Sequence, residues 1–322
     1  MPQGSRRWKL IALSVVVVAA AGAFTQRERI ARWHAVGQFE KAADREPLVE
    51  KLAAMGRPVV PELLPFLQRD DAELAAATGR VFAVMLETED NAGPLAGELV
   101  AVFPNCPVAG QRAILDLMTI VRRGGESRAE GCRSVAETAM KSPDTDVRVN
   151  GVRLAMWPEL KLLRQVLPLL SDPAAEVRRA SMLALGPRDE AAGDDIVSTE
   201  ELLHWLHDTD SEVRRLCEMS LIGRGLREVD VRLGKRLTDP DPRERLELLV
   251  ELGADDAVEP AVWLERLSRD PESAVRASAA RVAAERRVEF GFRLDEMSQS
   301  DPDGTVRAMA RYYKQLSERP RR

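Results

Sequence analysis

The stretch D-P-A-A-E-V-R at residues 172–178 recurs along the chain and decides the fold. Each full copy places a Val-Arg pair five and six residues after a turn aspartate, and four such copies begin at Asp172, Asp208, Asp270 and Asp301. Two copies depart from the pattern: one begins with Ser142 instead of an aspartate, and the one that begins at Asp239 has Glu244 in place of the valine. The six starting positions lie 30, 36, 31, 31 and 31 residues apart. Self-similarity at such a period indicates a solenoid of stacked helix pairs.

Each repeat is predicted to consist of an A helix, a short turn and a B helix. Apolar residues recur at helical spacing over Pro158–Leu170, which predicts an A helix there. The turn at Asp172 ends that helix, and the B helix that follows is expected to run to Leu185. Ser198 and Glu201 have the spacing of a capping box, so the next A helix should begin at this point.

Weaker copies extend the array towards the N-terminus. The copy that begins at Cys106 keeps the proline and the arginine, and the copy that begins at Arg69 keeps little except the apolar position. We therefore predict an all-α protein, a solenoid of about eight antiparallel helix pairs preceded by one hydrophobic helix. The predicted segments are a basic N-terminal tail (1–9), the hydrophobic helix (10–26), a linking helix (27–45), the repeat solenoid (46–318) and a basic tail (319–322).

The repeat resembles the HEAT-repeat family, in the short bacterial form related to phycobilisome-lyase HEAT-like repeats, most clearly from Ser142 to Leu316. This resemblance implies a right-handed superhelix and a hydrogen-bonded ladder between neighbouring repeats. Charge-assisted hydrogen bonds between a carboxylate and a guanidinium are strong enough for such a role, so we interpret the ladder residues as structural and not catalytic. By this resemblance the ladder pairs Asp172 with Arg178, Asp208 with Arg214, Asp239 with Arg245, Asp270 with Arg276 and Asp301 with Arg307.

Residues 10–26 contain no charge, and basic residues stand on both sides of them. Seventeen helical residues span about 25 Å, the short end of what crosses a bilayer. The segment therefore predicts a transmembrane signal-anchor. A cleaved signal peptide is the alternative, because Ala21, Gly22 and Ala23 form a small-x-small cleavage site. We expect a single-pass membrane location with the repeat domain outside the cytoplasm.

The composition narrows the class of protein. With 45% hydrophobic and 31% charged residues, the chain has the balance of a folded helical protein and not of a disordered one. A net charge of −5 argues against a dedicated nucleic-acid binder. Cys106, Cys132 and Cys217 show no C-x-x-C spacing, so neither a zinc site nor a thioredoxin-like motif is predicted. We expect buried thiols, with pairing of Cys106 and Cys132 in an oxidising compartment as the alternative.

His204 and His207 form the one constellation that invites metal chemistry. They lie three residues apart, and Glu200 lies a turn earlier, so the three side chains share one helical face. No H-E-x-x-H motif is present and Asp208 already has a turn role, so we interpret this segment as a solvated helix face. We predict no catalytic residue, no metal ligand and no cofactor.

These observations predict a non-enzymatic, membrane-anchored scaffold that binds a protein partner on a curved HEAT-repeat surface and contacts the membrane through residues 10–26. The first alternative is a nucleic-acid-binding HEAT-like protein, which would need outward-facing Arg179, Arg215 and Arg224. The net charge and the expected export count against it. The second alternative is a lyase-like or metal-dependent enzyme, which rests on fold analogy or on the two histidines.

Overall fold

A computed structural model describes residues 26–122, 126–186, 196–254, 259–288 and 290–317. Within these ranges every regular element is a helix and none is a strand. The helices pack against their neighbours in the chain, so the prediction of an all-α fold built from helix pairs is confirmed for this part of the protein. The chain divides into two compact units, Met1–Ala184 (unit 1) and Leu185–Arg322 (unit 2).

Unit 1 contains two layers of helices. The B helices α2, α4, α6 and α8 pack side by side, and the A helices α3, α5 and α7 form the other layer. Single-turn or 3-10 segments occur at Arg57–Val59, Phe103–Asn105, Pro158–Leu160 and Leu167–Ser171. The helices of unit 1 are α1 (26–41), α2 (Glu46–Ala53), α3 (Val60–Leu67), α4 (Ala72–Leu86), α5 (Glu89–Val102), α6 (Val108–Val121), α7 (Glu126–Ala139), α8 (Thr145–Ala155), α9 (Leu163–Val166) and α10 (Ala175–Leu185), which ends one residue past the unit boundary.

Unit 2 repeats the same plan. Its B helices α14, α16 and α18 pack side by side, and α12 packs against a 3-10 helix, Leu203–His207, and against α13. The helices of unit 2 are α11 (Thr199–Leu202), α12 (Ser211–Gly223), α13 (Glu228–Leu237), α14 (Pro242–Ala254), α15 (Ala261–Leu267), α16 (Ser273–Glu285), α17 (Gly291–Ser300) and α18 (Gly304–Ser317).

Both units bury apolar helix faces. In unit 1, Phe39 of α1 is fully buried and stacks on Phe66 of α3 with ring centroids 6.4 Å apart, so α1 belongs to the packed unit. In unit 2 the core joins the helices from α13 to α18 and includes Leu248, Leu264 and Val275, none of which is exposed. Burial of one such side chain stabilises the fold by about 1.5–3 kcal/mol.

The A helix predicted over Pro158–Leu170 is broken into the three short pieces given above. Lys161 adopts φ 53°, in the left-handed region, and this ends the first piece. Pro168 lacks the N–H that would continue an α-helix, so the last piece is 3-10. Because these breaks rotate the later residues relative to a continuous helix, Leu162 is buried, and Leu163, one of the predicted core positions, is half-exposed.

No helix in the described ranges is both long and apolar enough to cross a membrane. The longest α-helical stretch in the described ranges, 26–41, has 16 residues and spans about 24 Å, short of the roughly 30 Å of bilayer hydrocarbon. This finding corrects the prediction of a single-pass membrane protein with a transmembrane signal-anchor and an extracytoplasmic repeat domain. The predicted hydrophobic helix at 10–26 lies outside the described residues except for Gln26, and both predicted basic tails, 1–9 and 319–322, lie outside them too.

Candidate functional site

The recurring arginines and aspartates join successive repeats. Arg276 is a clear example, because its Nε and Nη2 donate to the two carboxylate oxygens of Asp301 in the next repeat, at 2.8 and 2.9 Å. Both side chains are almost completely buried. The same forward pairing links Arg148 to Asp172, at 2.8 and 2.9 Å, and Arg245 to Asp270, at 2.6 and 3.0 Å.

The ladder predicted between neighbouring repeats paired each aspartate with the arginine six residues on, whereas these carboxylates bond a different arginine, that of the preceding repeat. Each arginine uses Nη1 on its own repeat, where it donates to the backbone carbonyl of the turn aspartate and not to the carboxylate. The carboxylates of Asp172, Asp270 and Asp301 accept instead from the backbone N–H two residues on and from the preceding repeat's arginine. Own-repeat bonds to the carbonyl oxygen measure 2.9 Å for Arg178 to Asp172, 2.7 Å for Arg214 to Asp208, 2.5 Å for Arg245 to Asp239, 2.8 Å for Arg276 to Asp270 and 2.6 Å for Arg307 to Asp301.

The junction between Arg214 and Asp239 is built with a histidine. In the described residues Arg214 makes no contact to the Asp239 carboxylate; His207 Nδ1 lies 3.8 Å from Asp239 Oδ2 instead. His207 Nε2 lies 2.8 Å from the carbonyl oxygen of Lys235, and because that oxygen can only accept, Nε2 carries the proton. His207 is therefore a junction residue.

The structure does not bring Glu200, His204 and His207 together as possible ligands of one metal ion. Glu200 pairs with Arg266, His204 is exposed, and His207 is engaged at the junction. Throughout the described ranges no group of three or more His, Cys, Asp or Glu could hold a metal ion.

Sequence reasoning missed a second acidic residue, which lies two positions after the starting residue in five of the six copies; the copy that begins at Asp172 has Ala174 there. Asp303 is an example: it accepts from the N–H groups of Thr305 and Val306, at 2.7 and 3.0 Å, and so caps α18. The bonds from Val306 and Thr305 lower the pKa of the Asp303 carboxyl. Asp144 and Asp210 cap α8 and α12 in the same way. The signal was present in the sequence as D-x-D within the turn.

The arginines required for nucleic-acid binding do not form an outward basic patch. Arg224 is buried and donates to the carbonyl oxygens of Gly186, Val197 and Leu185, at 2.7, 2.6 and 2.9 Å. Arg215 pairs with Glu212 on the same helix. Arg224 is thus a structural residue that ties together two segments of unit 2.

The three cysteines are free and buried. Desolvation raises the pKa of the thiols of Cys106 and Cys132 to about 11, and that of Cys217 to about 12. Thiols with such pKa values are poor nucleophiles at neutral pH. The structure therefore supports the interpretation of the cysteines as small core residues.

A groove of about 610 Å³ lies between α4 and α6 of unit 1, and we call it the B-helix groove; a larger and more open depression, of about 950 Å³, lies beside α1 and α3. Most of its apolar lining residues are small, with Val108, Leu117 and Ile120 as the larger ones. A Cβ built on Gly79 would lie 3.5 Å from the Cβ of Ala113, so the two helices approach closely at the floor. The wall residues include Ala72, Ala76, Gly79 and Ala83 on α4, and Ala109 and Ala113 on α6.

A second depression of about 480 Å³ adjoins the groove and shares Arg112 and Asp116 with it. Its lining, from α6, α8 and α10, combines charged side chains with two exposed apolar ones, Met156 (40% exposed) and Leu183 (51%). Large apolar side chains left open beside charges are typical of interaction surfaces.

Asp116 lies where the two depressions meet. Its carboxylate has no hydrogen-bond or ion-pair partner among the described residues, and the concave surroundings desolvate it and raise its pKa. The neighbouring cations are engaged elsewhere: Arg112 contacts Asp144 and Asp146, and Arg80 contacts Glu46 at 3.0 Å. This surface therefore presents the exposed Asp116 carboxylate beside apolar side chains.

Similarity to characterised proteins adds no functional residue to this geometry. The resemblance stated from the repeat motif accordingly stays a prediction, and function has to be argued from the junctions and the B-helix groove. Comparison of the chain with protein-family models gives no match, and comparison with curated proteins finds no significant relative.

Proposed function

We propose that this protein is a non-enzymatic scaffold that binds a protein partner, and that the B-helix groove of unit 1 is the binding site. The observation that carries the proposal is an open apolar groove of about 610 Å³ with acidic and basic side chains at its rim. An apolar centre with a charged rim is the usual composition of a protein interface.

The finer architecture is part of this proposal: a right-handed, HEAT-like α-solenoid of about eight antiparallel helix pairs. The recurring period and the arginine bridges from one repeat to the next support it. Stacked repeats of this kind form extended surfaces for other proteins.

The lining of the groove favours a protein partner over the two alternatives. Phosphates would meet Asp70 and Asp116 in the groove and a chain of net charge −5. No serine, cysteine or histidine lines the groove, so its described walls offer no nucleophile-base pair of the usual kind. Alanine and aliphatic walls suit instead the side chains of another polypeptide.

The test is partner binding by a variant that fills the groove from an exposed position. Ala76 is exposed and lines the groove, so Ala76→Arg blocks it without touching the core. Ala101→Arg, at an exposed position of α5 outside the groove, is the matched control. Proteins crosslinked to the native-level wild type are identified, the dominant partner is purified, and its Kd is measured against all three proteins.

We expect Ala76→Arg to raise the Kd at least about tenfold and Ala101→Arg to change it less than about twofold, as for substitutions at and away from an interface centre. Far-UV circular dichroism checks that both variants fold. Equal affinity of the two variants, or no direct binding by any purified candidate, would overturn the proposal.

A further inference from the structure

We infer that the segment bound in the B-helix groove is an amphipathic α-helix of about three turns that places a lysine or arginine beside Asp116. This inference rests on the proposed function and specifies the chemistry of the partner.

The charge requirement comes from Asp116. Asp116 lies at an exposed position of both depressions and is partly desolvated, and an apolar segment bound over it would remove more of its water. Arg80 and Arg112, the two cations of the B-helix groove, are held by carboxylates of other helices, at 3.0 and 2.7 Å. A segment that brings its own cation would compensate the charge that binding buries.

The helical form follows from the walls. Both sides of the groove are α-helices, whose backbone N–H and C=O groups are already bonded within α4 and α6. An extended segment would find few backbone partners there, whereas a helix satisfies its own backbone and presents only side chains.

The dimensions give the length. The lining runs from Ala72 to Ala83 on α4 and from Val108 to Ile120 on α6, about 16 and 18 Å at the rise of an α-helix, or about three turns. A cavity of about 150 Å³ holds one benzene-sized group, so 610 Å³ holds about four. Three turns of helix present three or four anchors on one face, at i, i+3 or i+4, and i+7.

The test uses a display library of 14-residue amphipathic helical peptides. The apolar face is fixed as leucine, and one position beside it is randomised. The library is selected against the full-length wild-type protein, and winning peptides are measured by fluorescence anisotropy against wild type, Asp116→Asn and Ala76→Arg. Glu50→Gln, which removes an exposed carboxylate of α2 outside the groove, is the charge-matched control.

We expect the winners to carry lysine or arginine at the randomised position, to lose affinity about tenfold on Asp116→Asn, and to bind Glu50→Gln as they bind wild type. Winners that lose binding on Ala76→Arg but carry no cation, or are indifferent to Asp116→Asn, would overturn this inference and leave the groove as a binding site. If no winner depended on Ala76, the inference and the proposed function would both fail.

Discussion

Removal of Arg276 should destabilise unit 2 more than removal of any exposed arginine on the same helix. We propose Arg276→Met, which keeps the packing of the aliphatic stem and deletes the guanidinium. The native side chain makes two bonds to the Asp301 carboxylate and two to carbonyl oxygens of its own turn. After the substitution, the nearly buried carboxylate keeps one hydrogen-bond donor among the described residues, the N–H of Asp303 at 2.9 Å.

The magnitude follows from these contacts. Each hydrogen bond to a charged group contributes about 1.5–3 kcal/mol, and breaking one side of a buried ion pair typically costs about 3–5 kcal/mol. Because Asp301 can relax towards water once the arginine is gone, we expect a loss of about 3–4 kcal/mol. Arg281 is exposed on α16, with its Nη1 4.0 Å from Glu285 Oε1, so Arg281→Met should cost less than about 0.5 kcal/mol.

The assay is urea unfolding followed by circular dichroism, with hydrogen exchange to assign the transition to unit 2. The double variant Arg276→Met with Asp301→Asn should recover about 1–2 kcal/mol relative to Arg276→Met, since no unpaired buried charge remains. If Arg276→Met costs no more than Arg281→Met, the arginine bridge does not hold this junction and the structural role of the repeated pair is wrong.

Three further predictions concern packing, pH and thiols. Gly110→Ala should lower the free energy of unfolding, measured by heat or urea, by at least about 2 kcal/mol, because the new Cβ would lie 1.9 Å from the carbonyl oxygen of Leu67. Gly79→Ala should be neutral or stabilising, because its new Cβ would lie 3.5 Å from the nearest atom, the Cβ of Ala113. Asp303 accepts hydrogen bonds from backbone N–H groups, and these lower its pKa in the folded state. Its charged form therefore stabilises the fold above the ordinary aspartate pKa, and this stabilisation is lost as the pH falls towards the folded pKa. The unfolding free energy, measured from pH 7 to pH 2, should decline below about pH 4, and the decline should be less steep in Asp303→Asn. In the folded protein at pH 8, the three buried cysteines should react with a thiol reagent about a hundredfold more slowly than in urea, where all three should react. If only one thiol reacts in urea, Cys106 and Cys132 form a disulfide.

The period of the motif was enough to predict helix pairs, because an Asp/Pro turn and a Gly end leave few other ways to fold a segment of about 31 residues. The register of the ladder was not predictable in the same way. Asp270 and Arg276 are close in sequence, yet Arg276 bonds the carboxylate 25 residues on. Spacing within one repeat says nothing about where a side chain points across the junction between two.

The groove was beyond sequence reasoning for a different reason. Alanines on α4 and α6 fit a closely packed helix pair as well as they fit an open wall, and only the distance between the two helices decides which is formed. The broken A helix shows a similar limit, because the left-handed Lys161 has no sequence signal such as glycine.

The groove lies where the repeat departs from its own consensus, and the junctions explain why. Arg112 occupies the register of the ladder arginines, but the next repeat has Ser142 where an aspartate belongs. Arg112 therefore reaches the capping Asp144, at 3.3 Å, and Asp146, at 2.7 Å, and it remains 45% exposed where Arg276 is nearly buried. An aspartate at position 142 would draw the Arg112 guanidinium into the junction. Because Ser142 stands there instead, the charge of Arg112 stays on the rim of the B-helix groove. Repeats that keep the motif use these side chains for stacking, and under the proposed function the repeat that loses it would place its arginine at the edge of the binding site.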